Sequence, residues 1–81
     1  MNAALLLPYP FTASKFAHLT RREVRFLQLT CLELTYAQIA IQMSVSPRTV
    51  DGYREDLFEK LGVRSRVGLA LWAVKTGLVV L

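Results

Sequence analysis

The chain has a single cysteine and a single histidine, and each scarcity closes off a class of function. Cys31 has no second cysteine to pair with and no Cys or His at ligand spacing, so one chain can build neither a disulfide nor a zinc site; a structural thiol in a helix is expected. His18 has neither a carboxylate nor another His within sequence reach, which makes it a solvated loop residue. No cluster of His, Cys and carboxylates has catalytic spacing and no glycine-rich loop cradles a phosphate, so neither an enzyme nor a cofactor is expected. The apolar runs are too short or too interrupted for a membrane-spanning helix of about 20 residues. Residues 5–7 follow no basic segment and precede no small-residue cleavage site, so a secretory signal is not expected and a cytoplasmic location is.

What remains is apolar and slightly basic. Of the 81 residues 53% are hydrophobic, which excludes a disordered chain, and the formal net charge of +4 suits a polyanionic partner while being ordinary for a soluble protein. A chain this short makes one domain only marginally able to bury its own core, so help from a partner chain is expected. Residues 1–16, MNAALLLPYPFTASKF, have neither helical nor strand period and read as an arm or linker before a domain at 17–81. Leu5, Leu6, Leu7, Tyr9 and Phe11 are too apolar for water, so part of the arm is expected to lie against the domain or a neighbouring chain.

No strand pattern or internal repeat appears, and four helix starts are marked, which makes the class all-α. Thr20 opens the first, because TRRE forms a capping box in which Glu23 reaches back to the cap N–H, and Leu19 and Val24 add the hydrophobic staple. This helix is expected to run to about Cys31, with Val24, Leu27 and Cys31 on a core face broadened by Phe26, Leu29 and Thr30. Thr35 repeats the device with Gln38, and Leu34 and Ile39 are the staple of a short second helix from Tyr36 to about Met43. Ala40, Ser44 and Val50 then stand in the order of small residue, turn residue and core aliphatic that a tight helix-turn-helix corner requires. Ser44 occupies a place where Gly would take a left-handed turn more easily.

The third helix, residues 46–61, is the best marked: SPRTVDGYREDLFEKL has Ser46 as N-cap and Pro47 at the one helical position that needs no donor. Val50, Leu57 and Leu61 form its inward stripe with Tyr53 and Phe58 at the edges, leaving Arg48, Asp51, Gly52, Glu55 and Glu59 outside. The first two turns of that outward face lie at the end a helix-turn-helix protein points at base edges. Gly52 in mid-helix costs ~1 kcal/mol relative to Ala; a close approach to a partner surface would explain it, the alternative being a tolerated surface glycine. Gly62 ends this helix and Ser65 caps a fourth, residues 66–76, ended by Gly77. It places Val67, Leu71 and Val74 on one face and Leu69, Trp72 and Ala73 on another. A terminal helix cannot hide two apolar faces in so small a core, so the face of Leu69, Trp72 and Ala73 is expected to form a two-fold interface, unless the arm or the tail at 78–81 folds back over it.

Taken together, LTRRE, TYAQIA and SPRTVDGYREDLFEKLGVRSR resemble, in order and spacing, the LuxR/FixJ-type helix-turn-helix domain, the output module of many bacterial response regulators. The resemblance covers residues 19–78. It implies a four-helix domain whose third helix reads the major groove and whose fourth pairs with its counterpart in a homodimer. The function implied is sequence-specific binding of double-stranded DNA in transcription regulation, with RNA polymerase as a further partner. Asp51, Gly52 and Glu55 would then face bases; Thr49, Tyr53, Thr35 and Tyr36 would lie by the phosphates, where Ser46 and Arg48 of the first turn join them. The resemblance also pairs Glu23 with Arg66, in competition with the capping role. Two departures stand out. Glu33 replaces a frequent Gly before the second helix, and the outward face of the third carries Asp51, Glu55, Asp56 and Glu59. Carboxylates repel DNA unless a cytosine N4 donates to them, so they would narrow sequence choice, with Arg48, Arg54 and two helix N-termini providing the attraction. The alternative is a helical protein–protein interaction module that keeps the fold without DNA binding. No segment resembles the receiver or ligand-binding domain that usually precedes this module.

Overall fold

The four marked starts are four helices in the structure, a computed structural model that describes residue 16 and residues 18–80. They are α1 (Arg21–Thr30), α2 (Tyr36–Met43), α3 (Pro47–Leu61) and α4 (Arg66–Lys75), and no strand occurs among the described residues. Leu5, Leu6, Leu7, Tyr9 and Phe11 of the expected arm lie outside the described residues.

Local chemistry accounts for the boundaries. Glu23 N–H donates to Thr20 Oγ1 at 3.0 Å while Thr20 N–H donates to Glu23 Oε1 at 2.9 Å, so the first capping box is closed in both directions. Thr35 and Gln38 close the second at 3.1 and 2.8 Å. Ser46 and Ser65 accept from the third residue of α3 and α4, and α3 ends at Gly62 with φ of 69°. Among the described residues no helix is long and apolar enough to cross a membrane.

α1 packs against all three other helices because both its aromatic and aliphatic residues point inward: Phe26 and Leu27 have no exposed surface, and they meet Ile39, Val50, Leu57 and Leu69, equally buried. Ala40 is buried where α2 and α3 meet, as the corner requires. The corner itself turns at Ser44, at φ 58° and ψ 44°, with Val45 N–H reaching back to the Ala40 carbonyl at 3.0 Å. A β-carbon in this left-handed conformation meets the following carbonyl, a strain that glycine escapes. Ser44→Gly should therefore raise the unfolding free energy by about 0.5–1 kcal/mol, the relieved strain exceeding the entropy gained by the unfolded chain. Urea denaturation reads this directly, and a Gly variant no more stable than wild type would show that the corner is unstrained.

Glu23 is buried, and its partner is not the expected Arg66. Lys60 of α3 donates to both Glu23 oxygens at 2.8 and 2.9 Å, joining the start of α1 to the end of α3 without disturbing the capping box. Arg66 instead donates to the Thr30 and Leu32 carbonyls at 3.2 and 2.9 Å, at the opposite end of α1. The physical reason is distance: seven residues separate Glu23 from Thr30, roughly 10 Å along a helix axis, and the free carbonyls at a helix C-terminus attract a cation.

The two faces of α4 are also exchanged relative to expectation. Leu69 and Ala73 are fully buried in the chain's own core, so they have no surface to offer a second copy. Trp72 is half-buried, with Phe16 edge-on to it at 6.0 Å. Leu78 and Val79 are buried too, and Val79 N–H bonds to the Ala73 carbonyl at 3.1 Å. The chain before α1 and the tail thus cover this side, and it is Val67 and Leu71, 67% and 56% exposed, that face outward. Gly68 permits the inward placement: a β-carbon there would lie 2.9 Å from Val63 Cβ. Cys31 is half-buried with Sγ 3.5 Å from the Leu27 carbonyl. Burial pushes its thiol above the ordinary value against weaker opposition from Thr30 and Arg66, which disfavours the nucleophilic thiolate.

Candidate nucleic-acid interface

The outward face of α3 begins at its cap. Ser46 Oγ accepts from Thr49 N–H at 3.2 Å and lies 3.0 Å from Thr49 Oγ1, which gathers two exposed hydroxyls at the helix start. Arg48, beside them, is exposed and forms no ion pair among the described residues. One turn on, Asp51, Gly52 and Glu55 are exposed on the same side, and a β-carbon built on Gly52 would meet nothing within 4 Å. The chain's own packing therefore does not demand glycine at this position.

The remaining expected backbone-facing residues sit at the seam between α3 and its neighbours. Thr35 is exposed at the start of α2, its hydroxyl accepting from Gln38 N–H. The Tyr36 ring stacks on buried Phe26 with centroids 6.2 Å apart. Tyr53 leans on the same Phe26 at 5.9 Å, and its hydroxyl accepts from Arg22 at 3.3 Å. α1 thus holds both tyrosines at the edge of the α3 face. Arg22 itself is exposed and was not legible as part of this region, because only the packing of α1 on α3 brings it there.

Electrostatically the face differs from expectation in one respect. α3 carries Asp51, Glu55, Asp56 and Glu59 against Arg48, Arg54 and Lys60, and two of those cations are engaged within the chain. Lys60 is held by Glu23. The Arg54 guanidinium lies 3.4 Å from Asp51 Oδ1 and 3.3 Å from Glu55 Oε2, and 5.3 Å from the Tyr36 ring centroid. Arg54, expected to attract DNA together with Arg48, is thus engaged by its own acidic neighbours, whereas Arg48 forms no ion pair among the described residues. Arg66 also reaches the Tyr36 ring, at 5.2 Å. Among the described residues no group of three or more His, Cys, Asp or Glu could hold a metal ion.

Comparison with known proteins places this arrangement. The family model described as "Bacterial regulatory proteins, luxR family" matches residues 17–73. Over 67 residues, 83% of the chain, it is 34% identical to the response regulator UvrY of Escherichia coli, of which the match covers 31%. Over 66 residues, 82% of the chain, it is 38% identical to the response regulator GacA of Pseudomonas aeruginosa, again covering 31%. The chain therefore spans less than a third of the length of these curated relatives. No solved structure gives a significant match.

Proposed function

The chain belongs to the luxR family of bacterial regulatory proteins, a family of DNA-binding transcription regulation, and we propose that it binds a specific duplex as a two-fold dimer with α3 in the major groove. The observation that carries this reading is the one-sided burial of α3. Val50 and Leu57 are fully buried while Arg48, Asp51, Gly52 and Glu55 stand exposed, covered by no other element among the described residues. A helix with one such free face fits a groove about 12 Å wide. In this reading Asp51, Gly52 and Glu55 face base edges. Thr35, Tyr36, Ser46, Arg48, Thr49 and Tyr53 lie along the phosphates, where the N-termini of α2 and α3 add to the attraction. Arg22, beside Tyr53, joins them.

The dimer contact is assigned to the exposed side of α4, around Val67 and Leu71, in place of the buried Leu69 and Ala73. Two copies so joined would present their α3 helices to half-sites about 34 Å apart, one helical turn. Selection of binding sites from a random duplex pool should enrich an inverted repeat, and Leu71→Glu should remove the preference for the repeat over a single half-site without unfolding the chain. A pool that enriches nothing would transfer the acidic α3 face to a protein partner, the reading of an interaction module that keeps the fold alone.

A further inference from the structure

An acidic helix face that enters a polyanionic groove needs its charge managed, and the structure contains a device that does so. The Arg54 guanidinium stands between Asp51 and Glu55, 3.4 and 3.3 Å from their nearest oxygens. Its rigid fork of five donors can serve two carboxylates at once, which a point-like ammonium does less well. The guanidinium is also held from another element, lying 5.3 Å from the centroid of Tyr36 on α2. Tyr36 is in turn fixed by stacking on Phe26 and by Arg66, whose own guanidinium is tied to the end of α1. The position of Arg54 is therefore set directly by its own helix and by α2, with α1 and α4 holding Tyr36 in place.

Exposed ion pairs of this kind add little to stability, so stability alone does not explain the arrangement. We propose that Arg54 is a positioning residue for DNA recognition: supported by Tyr36, it neutralises and orients the Asp51 and Glu55 carboxylates so that this face can approach DNA and offer an oriented acceptor to a base amino group. This rests on the reading in which α3 enters the groove. With Arg54 present the pair of carboxylates brings one net negative charge to the groove instead of two. A carboxylate with one oxygen engaged by Arg54 keeps its other oxygen as an acceptor, which a cytosine N4 donor can meet. Arg54 thus acts on specificity through its neighbours and not by touching phosphate.

A double-mutant cycle on the full chain tests this, with the duplex recovered by selection and a scrambled duplex as probes. Arg54→Ala should weaken the selected duplex by about tenfold and lower the ratio of selected to scrambled affinity. In the neutral background Asp51→Asn with Glu55→Gln, the same substitution should change both affinities by less than about threefold, because the groups through which Arg54 acts are gone. Arg54→Lys should restore affinity for the scrambled duplex and leave the ratio low, since it returns the charge without the fork; it also serves if the Ala variant folds poorly. Equal losses in both backgrounds, with the salt slope of binding reduced by about one, would make Arg54 a phosphate contact and overturn the proposal. If the wild-type chain enriches no sequence, the DNA reading falls and this proposal with it; if it enriches one and the cycle shows no coupling, only the role of Arg54 falls.

Discussion

Lys60→Ala should lower the unfolding free energy by about 2 kcal/mol at neutral pH, and by much less in acid, because it leaves the Glu23 carboxylate buried without its cation. Loss of one partner from a fully buried pair costs more, but Lys60 is 36% exposed and water screens part of its charge. Burial alone would raise the Glu23 pKa. The Lys60 hydrogen bonds, the Thr20 backbone N–H, the Lys60 charge and the Thr20 side chain together outweigh it and hold the carboxyl below its ordinary value. A lowered carboxylate pKa contributes stability that is present above the unfolded value, about 4.3, and is lost as pH falls through the folded one. Lys60→Ala removes two of the lowering causes, so wild type and variant should converge as pH falls below the unfolded carboxylate value. Urea denaturation of both at pH 7 and in acid checks the convergence. A difference that stays constant with pH would assign the value of Lys60 to its aliphatic stem.

That Glu23–Lys60 pair marks where the sequence stops being informative. Thr20, Thr35 and Ser46 are visible as caps because each bonds a residue three positions away, and Gly62 and Ser44 are visible because a left-handed turn is a demand of the local backbone. Ala40 is legible for a similar reason, since a tight corner sets the spacing to its small residue. The partners of Glu23 and Arg66 are 34 or more residues away from them in the chain, and no local rule says which cation the fold brings within reach of Glu23. α4 failed differently. It is apolar around most of its circumference, so periodicity could not say which face turns inward; Phe16, Leu78 and Val79, packed from outside the helix, decide it. At the candidate interface the outward set Arg48, Asp51, Gly52 and Glu55 followed from the stripe of Val50 and Leu57. The engagement of Arg54 did not, because Tyr36 belongs to another helix.

Substitutions at Gly52 should move stability and DNA binding in opposite directions. In mid-helix glycine is less favourable than alanine by about 1 kcal/mol, and apart from its chain neighbours and the backbone of its own helical turns nothing described lies within 4 Å of where its β-carbon would be. Gly52→Ala should therefore stabilise the free protein by close to that amount, and Gly52→Leu, also a good helix former, should stabilise it too. Stability gives no reason to keep glycine there, so the reason is sought in what approaches from outside. If α3 lies in the groove with Gly52 against the base edges, a methyl group forces the helix away slightly and an isobutyl group forces it away substantially. Overpacking a close-fitting contact costs about 1–3 kcal/mol, so Gly52→Leu should weaken the selected duplex by about tenfold or more, with Gly52→Ala between it and wild type. Melting temperatures and duplex titrations on the same three proteins give both quantities. Two stabilised variants that bind as tightly as wild type would mean that Gly52 is a tolerated surface glycine and that α3 meets DNA through a different part of its circumference.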